Sequence, residues 1–240
     1  RVDDIEGLKR VVASGLTSGR PVLCEEFVQG LERSFEVVSV GGEPVWHSLT
    51  MYDPQPIRVV ENPWIQWTVC LPREVDDPTF DDVRRAGFAA LKALGQGTGL
   101  SHMEWFRRKD GSVAVSEIGA RPPGARIMNL MSYAHDTDMF VRWARLMVHE
   151  EFDAPTRKFA AGAAFFRGQG SGPRIKAIHG LDDAQKAVGH LVVETSLPKV
   201  GATVSSSYEG DGYAIVKHER TDVVAEALRT LINMVRVERG

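Results

Sequence analysis

The sequence predicts an α+β protein in which an antiparallel sheet flanked by helices is followed by a small second α+β domain. Three observations carry that prediction. Two tight-turn signals, Gly41-Gly42 and Asp110-Gly111, each join runs of strand composition, and such turns connect neighbouring strands in antiparallel fashion. Thr79 to Leu94 instead repeats its apolar residues at helical spacing and stops at Gly95. Beyond the charged, proline-bearing stretch Glu150 to Lys158 the composition changes, which divides the chain into residues 1–155 and 156–240.

Taken in order, Asp4 to Ser14 sets Ile5, Leu8, Val11 and Val12 on one face behind an Asp cap and predicts a short helix that Gly15 to Gly19 breaks. Pro21 to Val28, Phe35 to Val40 and Glu43 to Met51 read as strands. Ile57 to Leu71 is strand-like although Pro63 interrupts it, and Trp64 and Trp67 are expected in the core. In the helix at 79–94, Asp77 or Thr79 supplies the cap, and Val83, Ala86, Ala90, Leu91 and Leu94 line one face. Gly95, Gly97 and Gly99 end a helix and lead into a strand, the reverse of a dinucleotide-binding loop. Ile127 to Ala134 and Asp138 to His149 predict helices capped by Asp136 or Asp138, with Met128, Met131, Met139 and Met147 as packing residues. In the C-terminal part, Phe159 to Phe166 is small and apolar, and residues 168–172 form a flexible hairpin. Arg174 to His179, His190 to Leu197 and Tyr213 to Lys217 read as strands, Leu181 to Val188 and Thr221 to Val237 as helices.

Bulk properties exclude several function classes. The chain has 240 residues, 43% hydrophobic and 25% charged, which is ordinary globular composition. A net charge of −3 argues against nucleic-acid binding, which needs a basic face. No apolar run approaches the roughly 18 residues of a membrane span, so no membrane partner is expected. Cys24 and Cys70 lie in apolar runs and read as small buried hydrophobes, consistent with a cytoplasmic location. The histidines fall in no zinc-binding grouping, and no phosphate-binding G-x-x-x-x-G-K-[ST] loop occurs.

The chemistry concentrates in Ser101 to Gly124. A two-residue turn at Asp110-Gly111 pairs Lys109 with Ser112, and the same register sets Glu104 opposite Glu117. Opposed residues keep their Cβ atoms roughly 4.5 to 5.5 Å apart, and like charges so placed repel. A bound cation removes that cost. Hard carboxylate oxygens suit Mg²⁺ or Mn²⁺, and Mg²⁺ is commonly held by one or two carboxylates together with substrate phosphates. Arg121 follows four residues later with a planar fork for phosphate or carboxylate oxygens. Two rival readings are an exposed hairpin whose glutamates face water and a glycosidase-like acid pair. Trp105 lies on the opposite face, so nothing sugar-like surrounds the pair, and a three-residue loop with a bulge would change the register.

The stretches HMEWFRRKDGSVAVSEIGARPPG and VLCEEFVQGLERSFEVVSV resemble the C-terminal lobe of an ATP-grasp enzyme, similar to the L-amino-acid ligase and biotin-carboxylase-like branch. The resemblance implies that Glu104 and Glu117 ligate Mg²⁺ (or Mn²⁺) on ATP, and that Arg121 meets the acyl phosphate; Arg126, just past the stiff loop at 121–124, reads either as a second positive charge for a carboxylate substrate or as a helix-end surface arginine. The resemblance also implies adenine contacts at Glu25, Glu26 and Val28, and a ribose contact at Glu32. Gly119 departs from the family's E-x-N-x-R pattern, where a metal-contacting Asn is usual. The implied function is ATP- and Mg²⁺-dependent ligation of a small-molecule carboxylate to an amine, with amino-acid-like substrates. The implied partner is an N-terminal lobe of the same protein, absent from these residues, that covers the triphosphate; without it the 240 residues are expected to fold but not to ligate. A homodimer is compatible. The alternatives are a biotin-carboxylase-like or purine-pathway carboxylating enzyme, and a nucleotide-binding module without turnover.

Overall fold

Gly41 and Gly42 both adopt positive φ, 58° and 89°, a conformation glycine reaches without steric cost. They join β1 (Gly30–Val40) to β2 (Glu43–Asp53), and the two strands pair antiparallel along almost their whole length. The computed structural model describes residues 2–14 and 23–240. The helices predicted at 4–14 and 181–188 form as α1 (Ile5–Ala13) and α6 (Leu181–Val188), while the predicted break at Gly15 to Gly19 and the start of the strand at Pro21 lie outside the described residues. Residues 23–28 are irregular rather than extended, because β1 finds its partner β4 (Gly99–Arg108) only from Gly30, opposite Arg108. Cys24 is accordingly exposed, whereas Cys70 is buried; both are free thiols.

Eight strands form one sheet in the order β5-β4-β1-β2-β3-β6-β10-β9. Its first half adds β5 (Val113–Gly119) and β3 (Trp67–Leu71) to the strands above. Its second half consists of β6 (Ala160–Phe166), β9 (Val192–Ser196) and β10 (Gly212–His218). The small residues of β6 let the sheet continue across the expected boundary at 150–158, since β3 pairs with β6 from Trp67↔Phe165 to Leu71↔Ala161. A core of Val38, Trp67, Val69, Ile127, Phe165 and Ile215, among others, likewise draws on both sides of that stretch. A second sheet of β7 (Gly168–Gln169), β8 (Ile175–His179) and β11 (Arg236–Arg239) follows.

Alternation along β1 sends successive side chains to opposite faces. Phe35 and Val37 join Leu49, Met103 and Trp105 in a core closed by Val83 and Leu91 of α3 (Asp81–Ala93). Gly87 of that helix leaves space for the Phe35 ring, since a Cβ there would lie 2.7 Å from it. The other face carries Glu32, Ser34 and Glu36, then Val38, which packs under α4 (Ile127–His135) and α5 (Met139–His149).

Several expectations are corrected. Ile57 to Leu71 is not one strand: Pro56, whose fixed φ suits a first helical turn, starts α2 (Pro56–Glu61), and only Trp67–Leu71 is extended. Trp64 is exposed while Trp67 is buried. The helix expected from Thr79 begins at Asp81, preceded by a 3-10 turn over Pro78–Phe80 that Asp77 caps, and Leu94 is exposed past its end. Asp138 caps α5, whereas Asp136 ends α4 in a left-handed conformation. Met147 is exposed, unlike the other three methionines. The C-terminal helix, α7 (Thr221–Met234), stops short because apolar spacing changes from helical to alternating at Val235 and Val237, and Arg236–Arg239 is a strand. Among the described residues no helix is long and apolar enough to cross a membrane.

Candidate active site

The hairpin of β4 and β5 reaches the anticipated opposition by an unanticipated route. Its turn is one residue longer than the Asp110-Gly111 signal predicts: Arg108 N–H donates to Ser112 O at 2.9 Å, and Gly111 takes φ 84°. Asp110 Oδ1 accepts from both the amide and the hydroxyl of Ser112, which stabilises the longer loop. That shifts the register by one, so Arg107 pairs with Val113. A bulge between Glu104 and Trp105, where Ser116 has no counterpart, shifts it back. Glu104 therefore lies opposite Glu117, and His102 opposite Gly119.

Glu104 also faces Ser34 of β1, and His102 faces Glu36. One face of four strands thus gathers a polar row. Glu36 is fully buried, accepting from Ser34 Oγ at 2.5 Å and Thr50 Oγ1 at 3.1 Å, with His102 Nδ1 at 2.9 Å. The other ring nitrogen, Nε2, lies 3.8 Å from Glu104 Oε1. Burial works against a charge on this imidazole, but the two carboxylates outweigh it and raise the histidine to about 9. The neighbouring His102 imidazole holds Glu104 below the ordinary carboxylate range, despite partial burial. Glu104 is therefore an anion at neutral pH beside a cationic His102. Its side chain is 38% exposed and Glu117 is exposed, so both carboxylates can reach a common ion.

Among the described residues no group of three or more His, Cys, Asp or Glu side chains could by itself hold a metal. Two opposed hard-oxygen donors fit a divalent ion that completes its shell with phosphate and water. Arg121 leans back over Gly119: a Cβ on that glycine would lie 3.3 Å from Arg121 Cγ. The residue that departs from the family pattern is thus the one over which the arginine stem packs. Arg121 Nη1 also donates to Pro122 O at 3.0 Å. Arg126 is drawn elsewhere, with Nε 3.5 Å from Glu209 Oε2 and its guanidinium 4.4 Å from the Tyr213 ring centre.

Of the residues assigned to a nucleotide, Glu25 and Glu26 are exposed in the segment entering β1, and Glu26 pairs with Arg108 at 3.0 Å. Val28 is half-buried in the same segment. Glu32, on β1, is raised to about 7, first by burial and then by the charge of Glu104. It belongs to the same electrostatic field as the glutamate pair.

Beside Glu104, His102 and Arg121 opens a pocket of about 330 Å³. Its walls include Val59 of α2, Trp67 of β3 and Tyr208 from the loop between β9 and β10. Sequence reasoning missed His102, Glu36, α2 and Tyr208. The alternation of Glu32, Ser34 and Glu36 is a visible signal, but it points to His102 only once β1 is known to lie beside β4.

No family model matches the chain. A D-alanine–D-alanine ligase of Streptococcus pyogenes is 31% identical over 123 residues, 48% of this chain and 33% of the relative. The solved L-amino acid ligase from Bacillus licheniformis superposes with a TM-score of 0.79 at 20% identity, covering 100% of this chain and 61% of that one. The N5-carboxyaminoimidazole ribonucleotide synthetase from Thermotoga maritima does so with a TM-score of 0.64 at 19% identity, covering 100% and 60%. The chain thus spans about three fifths of the solved enzymes and a third of the curated relative. In its fold, an antiparallel sheet flanked by helices with the glutamate hairpin at one edge, the chain is similar to these solved enzymes, which are of the ATP-grasp type.

Proposed function

We propose that the protein is an ATP- and Mg²⁺-dependent carboxylate–amine ligase acting on amino-acid-like substrates through an acyl phosphate. The observation that carries this reading is the opposition of Glu104 and Glu117 on a polar sheet face beside a pocket that also contains Arg121. A substrate carboxylate oxygen attacks the γ-phosphorus of ATP, ADP leaves, and the amine then attacks the acyl carbon and expels phosphate. Arg121 binds the oxygens that gain charge in the first step and steadies the acyl phosphate for the second; Arg126 would add a second positive charge on turning away from Glu209. Preorganised charges of this kind carry most of the rate in phosphoryl transfer. Glu104 and Glu117 would hold Mg²⁺ or Mn²⁺, which when bound neutralises phosphate charge. Cationic His102 orients Glu104 and keeps it ionised. The segment with Glu25, Glu26 and Val28 would receive adenine, and Glu32 the ribose hydroxyls.

In this reading residues 1–155 are the C-terminal lobe, 156–240 a smaller appended unit, and a further N-terminal lobe covers the triphosphate. The 240 residues alone then fold without ligating. Free thiols at Cys24 and Cys70 accord with a cytoplasmic enzyme. A carboxylating reaction with bicarbonate is the second reading, favoured by the likeness in fold to the Thermotoga synthetase. Phosphate release by the intact protein decides among them. Stimulation by amino acids, tested singly and in pairs, supports the ligase; stimulation by bicarbonate with an amine supports the carboxylating enzyme. ATP binding with no stimulation by either leaves a nucleotide-binding module.

A further inference from the structure

The pocket beside Glu104 and Arg121 has two unlike parts. Its charged groups are those already assigned, Glu104, His102 and Arg121. The rest of the wall, built mainly from Pro56, Val59, Val60, Trp67, Ile127 and Tyr208, holds no carboxylate, ammonium or guanidinium. Val59, Trp67 and Ile127 are at most 3% exposed, so the lining is anchored in the core.

Two polar atoms on this wall already have partners. Tyr52 Oη donates to Ser34 Oγ at 2.9 Å, and Trp67 Nε1 donates to Tyr208 O at 3.0 Å. A charged side chain entering here would lose water and meet no opposite charge on this part of the wall, which is costly. An apolar side chain would lose nothing. At about 330 Å³ the space lies at the small end of the roughly 300 to 1,000 Å³ typical of small-molecule sites, the size of a single amino acid.

Tyr208 closes the pocket from the C-terminal part of the chain. Its ring centre lies 5.8 Å from that of Trp67, and its hydroxyl sits where Gly124 leaves room, since a Cβ there would come within 2.8 Å of it. The neighbouring Glu209 faces Arg126 at 3.5 Å. The backbone beneath, Ala125 and Arg126, holds positive φ of 50° and 58°, unfavourable for side-chain-bearing residues and sustained here by these contacts. Tyr208 is therefore seated at a defined place on the wall.

Resting on the ligase reading, we propose that this pocket takes the side chain of an uncharged, apolar amino acid whose carboxylate lies toward Arg121, and that Tyr208 is the wall that limits its size. The test is phosphate release by the intact protein with ATP and single amino acids. Leucine, isoleucine, methionine and phenylalanine should exceed aspartate, lysine, arginine and asparagine in kcat/KM by roughly tenfold or more, the discrimination an apolar pocket can provide. Tyr208→Ala should move the preference toward phenylalanine and tryptophan relative to valine, again by roughly tenfold. Tyr208→Phe, which keeps the ring, should retain the size preference. Should Tyr208→Ala fail to fold, Val60→Ala, at an exposed position on the same pocket, carries the size test. Preference for a charged amino acid, or an unchanged profile in the folded size variant, overturns the proposal and leaves the ligase reading intact. If no amino acid stimulates phosphate release, the ligase reading falls and this inference with it.

Discussion

The two faces of the sheet formed by β1, β2, β4 and β5 are made by alternate residues of the same strands, yet they differ in kind. On one, Phe35, Leu49, Met103 and Trp105 are all but completely buried against α3. On the other, Ser34, Glu36, Thr50 and His102 are equally hidden but polar, and they end at two accessible glutamates. The first face acts through the area it removes from water. The second spends part of that stability to hold charges in place, and its buried groups are tolerable because they bond to one another. Stability should therefore be lost mainly through the first face and chemistry mainly through the second.

The sharpest break comes from Phe35→Ala. Its ring is fully buried, packs against Phe88 and His47 with centroids 5.7 and 5.6 Å away, and fills the space Gly87 leaves. A cavity there should cost about 3–5 kcal/mol in chemical denaturation. Next is Glu117→Ala. An exposed glutamate opposite a like charge contributes little to folding, so the melting temperature without metal should stay the same or rise slightly. On the proposed ligase reading, amino-acid-stimulated phosphate release by the intact protein should fall by roughly 100-fold or more, as when a preorganised charge contact is removed. A large loss of stability for Glu117→Ala, or none for Phe35→Ala, would erase the distinction between the faces.

What could be read beforehand follows the same division. Alternation and turn residues are local, so the hairpins at 41–42 and 109–111 and the helices at Asp81, Ile127 and Asp138 were legible to within a few residues. The opposition of Glu104 and Glu117 was legible too, but through two errors of opposite sign. The loop is longer by one residue, and a bulge at Ser116 that no local signal marks restores the pairing. Glu36 and His102 were not legible as partners. They lie 66 residues apart and meet only because β4 returns beside β1, a choice made by the whole core. Tyr208 escaped for the same reason: its loop is polar and irregular, and its role depends on Trp67 and the turn at Gly124.

His102 sharpens the comparison through pH. Held at about 9 in the folded protein against an ordinary 6.5, it contributes stability that is fully present below 6.5 and disappears as pH rises through 9. In metal-free protein, melting of the native chain should therefore decline across that window relative to His102→Gln. The difference, on the order of 2 kcal/mol at pH 6, should vanish above pH 9.5. Parallel curves for the two proteins would mean that the imidazole is neutral and that Glu104 lacks its cation.

Glu32 gives the smallest effect and the most direct measure of charge crowding on the polar face. Burial first, and the charge of Glu104 second, raise it to about 7, so the folded state keeps a proton that the unfolded chain releases near 4.5. The folded state thus binds more protons between pH 4.5 and 7, and stability must fall as pH rises through that interval. Glu32→Gln removes the titration and should melt with the native chain at pH 4 but above it at pH 8. The gain should be on the order of 1 kcal/mol, reduced from the full shift because the side chain is partly exposed to solvent. Combining it with Glu104→Gln separates the two causes. If the charge of Glu104 contributes, Glu32→Gln should be worth less in the Glu104→Gln background than in the native one; an equal gain would leave burial as the sole cause.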